Sequence, residues 1–141
     1  MNIIAHRGYS DLAPENTLPS FDLAIKKGFN IFELDIQLTK DKVPIVFHDY
    51  DLNRICGLNL KINEIEFNSI EDFDVGVWKG DEFKNEIIPS FEKILIKYKN
   101  RTHLQIELKS HEKELAKLVI DLLAKTEWHK LTGAPYDVPG F

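Results

Sequence analysis

The sequence predicts an α/β fold built on a parallel sheet. Short apolar runs read as buried strands, and amphipathic stretches at helical spacing separate them. Polar, Pro- or Gly-containing signals mark the boundaries, and strands alternating with helices favour right-handed βα units. A chain of 141 residues is one domain by default, and 43% hydrophobic content is enough for a core.

The elements follow in order. Residues 2–5 are an apolar strand that runs into His6-Arg7-Gly8. The polar loop 10–16 leads to Asn16, the expected N-cap of a helix over 17–27, where Leu18, Phe21, Ala24 and Ile25 share a face. Gly28, after Lys26 and Lys27, is the expected stop. Residues 29–38 alternate, with Ile31, Glu33, Asp35 and Gln37 on one face and Phe32, Leu34, Ile36 and Leu38 on the other. Lys40-Asp41-Lys42 is a turn, and 43–49 is the next strand. Residues 51–86 are less regular: 69–74 is expected to open a short helix, and 76–86 to form an excursion. Pro89 precedes a helix over 90–98, with Ser90 as N-cap and Phe91, Ile94, Leu95 and Tyr98 on its apolar face. Residues 103–109 are the fourth strand. Ser110 is the expected cap of a helix over 111–125, with Leu115, Leu118, Val119, Leu122 and Leu123 on one side.

In a parallel sheet all C-terminal strand ends point one way, and in βα architectures that rim is where chemistry is done. His6 and Arg7, Glu33 and Asp35, His48 and Asp49, and Glu107 and Lys109 would gather there. Each also has a purely structural reading. His6 could be a satisfied strand-end group, Glu33 and Asp35 a wet strand face, Glu107 and Lys109 an ion pair, and His48-Asp49 the start of a turn. The structural readings weaken together because the charges recur at strand ends. Inward carboxylates need a counter-charge. A divalent cation on Glu33, Asp35 and Glu107 would supply it, and all-oxygen ligation suits Mg²⁺ or Ca²⁺. Arg7 and Lys109 would balance an anionic substrate, and His6 and His48 could act as general acid and base. These are the parts needed to cleave a phosphate ester.

The bulk numbers exclude other classes. A net charge of −5 gives no basic footprint for nucleic acid. Cys56, the sole cysteine, rules out an intramolecular disulfide and a cysteine metal cluster, and its own role is expected to be packing. No leader is expected, and no apolar stretch reaches the ~20 residues needed to span a bilayer. A cytoplasmic location is the expectation.

The segments AHRGYSDLAPENTLPSF, ELDIQLTKD, PIVFHDYDLNR, IPSFEKIL and IELK resemble the glycerophosphodiester phosphodiesterases, in family order over about residues 3–125. The resemblance implies a TIM-barrel hydrolase that splits glycerophosphodiesters into sn-glycerol 3-phosphate and an alcohol. It implies that Glu33, Asp35 and Glu107 hold a divalent metal, Mg²⁺ or Ca²⁺, and that His6 and His48 are the catalytic pair. Arg7 and Lys109 would contact the phosphate, and Asn16 would help shape the rim. The glycerol hydroxyl would be the internal nucleophile. Residues 51–88 would be an insertion beside the barrel mouth, where Phe73, Trp78 and Phe83 either face the alcohol group or form a local core. His103, His111 and His129 match no family position.

A full barrel takes about 200–250 residues, so only about its first half is expected in residues 1–125. Residues 126–141 depart from the family pattern. A half-barrel exposes sheet edges, which a homodimer or a second chain would cover. Two other readings stay open: a non-catalytic fragment that retains a metal or anion site, and a TIM-barrel phosphodiesterase of phospholipase type.

Overall fold

The spine of the sheet is β2, Ile31–Leu38. The computed structural model describes residues 3–128. Asn2, His129 and the rest of the tail expected to be atypical lie outside that range. β1, Ile4–His6, pairs with β2 in parallel, Ile4 opposite Ile31 and His6 opposite Glu33. β3, Pro44–Val46, follows. β4, His103–Leu108, is parallel to β2 from Ile31 to Ile36. It occupies one edge of β2, so β1 and β3 share the other edge end to end.

The direction of β3 corrects the reading from sequence. It runs antiparallel, with Val46 opposite Ile36 and Pro44 opposite Leu38. Parallel neighbours need a crossover of a dozen or more residues. Here Thr39 closes a tight turn instead. Its N–H donates to Val43 O at 3.1 Å, and the Lys42 N–H returns to Thr39 O at 3.0 Å. The parallel strands among the described residues are therefore three, β1, β2 and β4, not four.

The order of elements is β1, α1 (Leu18–Lys26), β2, β3, α2 (Asn53–Cys56), α3 (Phe67–Ile70), α4 (Phe91–Tyr98), β4 and α5 (Lys113–Lys125), with two short 3₁₀ turns between β3 and α4. The apolar face of β2 meets α1, α4 and α5. Phe32, Leu34, Ile36 and Leu38 lie in one core with Phe21, Ala24, Phe91, Ile94, Leu95, Tyr98, Leu115 and Val119. Phe21, Phe32 and Tyr98 form a ring trio with centroids 5.1, 5.4 and 5.9 Å apart. Each such side chain is worth about 1.5–3 kcal/mol of burial. The Tyr98 hydroxyl is satisfied at the core's edge, donating to Asp22 Oδ1 at 2.8 Å.

A second core lies beside the sheet. It comprises Ile45, Phe47, Leu52, Ile55, Ile62, Ile65, Ile70, Val75 and Ile88, with Cys56, Phe67 and Phe73 against it. Alternation along the β3 segment explains the split: Val46 faces the main core, Ile45 and Phe47 the second. Phe73 and Cys56 are thus packing residues. Trp78 stays 41% exposed, its Nε1–H donating to Val75 O at 2.9 Å.

Caps also differ from expectation. Thr17, not Asn16, precedes α1, and Glu112, not Ser110, precedes α5. The chain at Lys109 is still tied to the sheet, its N–H donating to Ile36 O at 2.8 Å, so a helix cannot yet begin. Ser90 caps α4 as read, accepting from the Lys93 N–H. α3 ends at Ile70, where a helix was expected to start. Among the described residues no helix is long and apolar enough to cross a membrane.

Candidate functional site

Strand register builds the site in rows. Residues paired across parallel strands put their side chains on the same face, so His6 and Glu33 form one row and Asp35 and Glu107 the next. Glu33 and Asp35 are buried, whereas the Glu107 side chain is 56% exposed. One oxygen from each of the three carboxylates lies within 4.8 Å of the others.

The turn after β1 is held from several sides. Arg7 and Gly8 both have positive φ, 55° and 80°. At Gly8 a Cβ would run into the Ser20 side chain. Ser20 Oγ donates to Arg7 O at 3.0 Å, and the Arg7 N–H reaches Glu33 O at 2.9 Å and Glu33 Oε2 at 3.1 Å. The His6 imidazole then stands 3.7 Å from Glu33 Oε2. The Arg7 guanidinium turns to Glu15 at 2.9 Å and to Asp35 Oδ2 at 3.2 Å. Asn16, at φ 56°, donates from Nδ2 to the same Asp35 oxygen at 2.9 Å. Its role is to fix Asp35 rather than to cap α1.

His48 arrives by another route. The hairpin carries β3 back along β2 until the Phe47 N–H meets Asp35 O at 3.0 Å. Gln37, buried on the polar face of β2, donates from Nε2 to Phe47 O and Asp49 O, both at 2.7 Å. His48 is pinned between these two carbonyls, and its Nδ1 lies 2.7 Å from Asp49 Oδ1. At the far strand Lys109 Nζ donates to Glu107 Oε1 at 3.1 Å, and the Tyr50 hydroxyl donates to Lys109 O at 2.6 Å.

The charges do not balance within the cluster. Burial, then the Asp35 charge, pushes the Glu33 carboxyl above its usual range. Lys109 holds Glu107 below its ordinary value, opposed by desolvation and helped by the His48 charge, and Glu107 in turn raises Lys109. Asp35 Oδ1 is buried with no hydrogen-bond partner. These features fit a hard cation. Two oxygens that each lie 2.3–2.6 Å from one ion are at most about 5 Å apart, which the 4.8 Å spread meets.

The structure thus brings Glu33, Asp35 and Glu107 together, sets His6 on Glu33 and Arg7 on Asp35, and puts Lys109 beside Glu107. Glu15, Gln37 and Arg54 also take part and were given no role from sequence, while Asp49, expected at the rim, is found paired with Arg54 and His48. Gln37 sits two residues after Asp35 on the same face, so alternation alone could have flagged it. Arg54 and Glu15 are 39 positions apart, with no local signal to join them.

Parallel βα strands carrying an acidic cluster, with His6 at the C-terminal end of β1 and His48 returned beside β2 by the hairpin, define an α/β protein of the TIM-barrel type with a metal-competent rim. Residues 6–133 match the Glycerophosphoryl diester phosphodiesterase family, and the chain belongs to that family. It is 41% identical to YhdW of Bacillus subtilis over 115 residues, which are 82% of this chain and 47% of that one. The glycerophosphodiester phosphodiesterase of Agrobacterium tumefaciens superposes with a TM-score of 0.84 at 32% identity, over 92% of this chain and 55% of that one. An Oleispira antarctica phosphodiesterase, solved with its product sn-glycerol-3-phosphate, gives 0.81 at 32% identity over 99% of this chain and 55% of its own. The chain spans about half the length of these relatives.

Proposed function

We propose that this rim serves the metal-dependent hydrolysis of glycerophosphodiesters to sn-glycerol 3-phosphate and an alcohol. The observation that carries the reading is the cluster of Glu33, Asp35 and Glu107 around an unsatisfied Asp35 oxygen, with His6 against its edge. The three carboxylates would hold Mg²⁺ or Ca²⁺. Bound there, the cation would supply positive charge to the phosphate oxygens and acidify the attacking hydroxyl. Arg7 and Lys109, each already on a carboxylate, would add a cationic border for the phosphate.

The chain's own groups would move the protons. One imidazole of the pair His6 and His48 takes the proton of the glycerol 2-hydroxyl as its oxygen bonds to phosphorus. The other gives a proton to the departing alcohol as the phosphorus–oxygen bond breaks. Water then opens the cyclic phosphate with the two roles reversed. Proximity of the internal hydroxyl supplies a large part of the rate. The insertion 51–88 would border the alcohol group through exposed Trp78 rather than through packed Phe73.

The exposure of His6, 65% for its side chain, and of Glu107 favours a second reading, a binding remnant without turnover. Water at an open rim weakens each contact. A homodimer or a second chain over the exposed face would restore enclosure, and the intact protein would act in the cytoplasm.

One experiment separates the readings. Ca²⁺ and Mg²⁺ are titrated calorimetrically into the chain and into a Glu33→Ala, Asp35→Ala variant, beside a coupled glycerol 3-phosphate assay on glycerophosphocholine and a solution mass measurement. Binding heat lost in the variant, with turnover abolished by His6→Ala or His48→Ala, is expected. Binding heat without turnover selects the remnant, and equal heats in both proteins refute the metal site.

A further inference from the structure

Arg54 belongs to α2, outside the sheet, and the reaction above gives it no task. Four of its five guanidinium N–H groups are nonetheless engaged by two acids from different parts of the chain. Nε and Nη2 donate to Asp49 Oδ2 and Oδ1 at 2.9 and 3.0 Å. Nη1 and Nη2 donate to Glu15 Oε1 and Oε2 at 2.8 and 2.9 Å. Asp49 Oδ1 also meets His48 Nδ1, and Glu15 Oε2 also meets Arg7 Nη1. The result is a line of polar contacts, His48–Asp49–Arg54–Glu15–Arg7–Asp35, linking the imidazole to the acidic cluster. Both carboxylates are mostly covered, at 13% and 19% side-chain exposure, so this is not a loose surface pair.

We propose that Arg54 is a positioning residue for His48: by forking onto Asp49 and Glu15 together, it holds the ring with Nδ1 on Asp49 and Nε2 turned to the substrate side. The hydrogen bond at one ring nitrogen decides which tautomer the other presents. A carboxylate can only accept, so the neutral ring donates from Nδ1 and leaves Nε2 as the base. Asp49 alone could rotate away from the ring; with both oxygens taken by Arg54 it cannot do so without breaking two charged bonds. Lysine cannot replace the double fork, because its ammonium is a point charge without planar geometry. The use of Nε2 rests on the phosphodiesterase reading; the hold on the ring does not.

The test uses the full chain and two readouts. Ring nitrogen NMR of His48, at a pH where the imidazole is neutral, is expected to show the Nδ1-protonated tautomer in the parent protein. In Arg54→Gln the two nitrogen signals should move toward the averaged values of a free imidazole, with the amide signals of β1, β2 and β4 in place. Arg54→Lys should fall between. If Arg54→Gln does not fold, Glu15→Gln removes the far side of the clamp, and the same signals should move in the same direction. Ring signals identical to the parent in the folded variant overturn the proposal. In the coupled assay Arg54→Gln should lower kcat about tenfold to a hundredfold, with KM within about twofold. A parent-like kcat also overturns it. A parent chain with no turnover refutes the phosphodiesterase reading, while the ring signals still decide the role of Arg54.

Discussion

Replacing Gln37 by methionine tests whether the polar face of β2 holds the His48 segment in place. The side chain is 3% exposed, and its Nε2 donates to two backbone carbonyls on either side of His48, both at 2.7 Å. Methionine has similar length and volume, so little packing is lost. What is lost is two hydrogen bonds, each worth about 0.5–1.5 kcal/mol net, and the Phe47 carbonyl is left without its donor at a further cost of about 1–3 kcal/mol. The sum expected is about 2–6 kcal/mol. For a chain of this size about 3–5 °C per kcal/mol applies, so Tm should fall by roughly 6–30 °C. Urea unfolding followed by circular dichroism, with an unchanged slope, would give the free energy directly. A loss below about 0.5 kcal/mol would show that Gln37 does not hold the segment, and the reasoning from these two bonds would fail.

Gly8→Ala places a Cβ against Ser20 at φ 80°, and a loss of at least ~1–2 kcal/mol is expected in the same urea titration. Saturating Ca²⁺, at about 100 times its Kd, should stabilise the chain by about 2.7 kcal/mol, measured as a rise in Tm that the Glu33→Ala, Asp35→Ala variant lacks. Burial works to raise the carboxyls of Glu15 and Asp49, but Arg54, with Arg7 at Glu15 and His48 at Asp49, holds both below their ordinary values. A depressed folded pKa gives stability that is complete above the unfolded value and is lost as pH falls through the folded one. Acid melts should therefore weaken between about pH 5 and 3, and less steeply in Glu15→Gln; equal slopes would count against the pairing.

Local pattern explains what the sequence made legible. Alternation in 29–38 separates the core residues of β2 from Glu33, Asp35 and Gln37, and that separation is found. The helical spacing of Phe91, Ile94, Leu95 and Tyr98 is likewise the buried face of α4. The direction of β3 was misjudged, although the short turn at Lys40-Asp41-Lys42 already excludes a crossover. Apolar content identifies a strand without giving its direction. Asn16 was misplaced for a different reason. Its side chain satisfies Asp35, 19 positions away, in preference to the helix end next to it. Partnerships of that range, like Arg54 with Glu15, depend on tertiary geometry that no local spacing encodes.

β3 is the shared wall of two cores, and this bears on local opening. Ile45 and Phe47 are anchored in the core of the insertion, while the β2 carboxylates are anchored over the core beneath the sheet. His48 therefore rides on one cooperative unit, and Glu33, Asp35 and Glu107 ride on another. Gln37 and the Arg54 fork add to the β2–β3 ladder and the Phe47 N–H bond to Asp35 O in tying the two together. Weakening the insertion core, for example by Ile62→Ala, should speed amide exchange around His48 well before exchange in β2 changes. Uniform acceleration across both would mean the two cores open as one. Early exchange confined to that segment would give the His48 segment and the carboxylate cluster separable stabilities, so that the His48 ring could leave while the carboxylates stay folded.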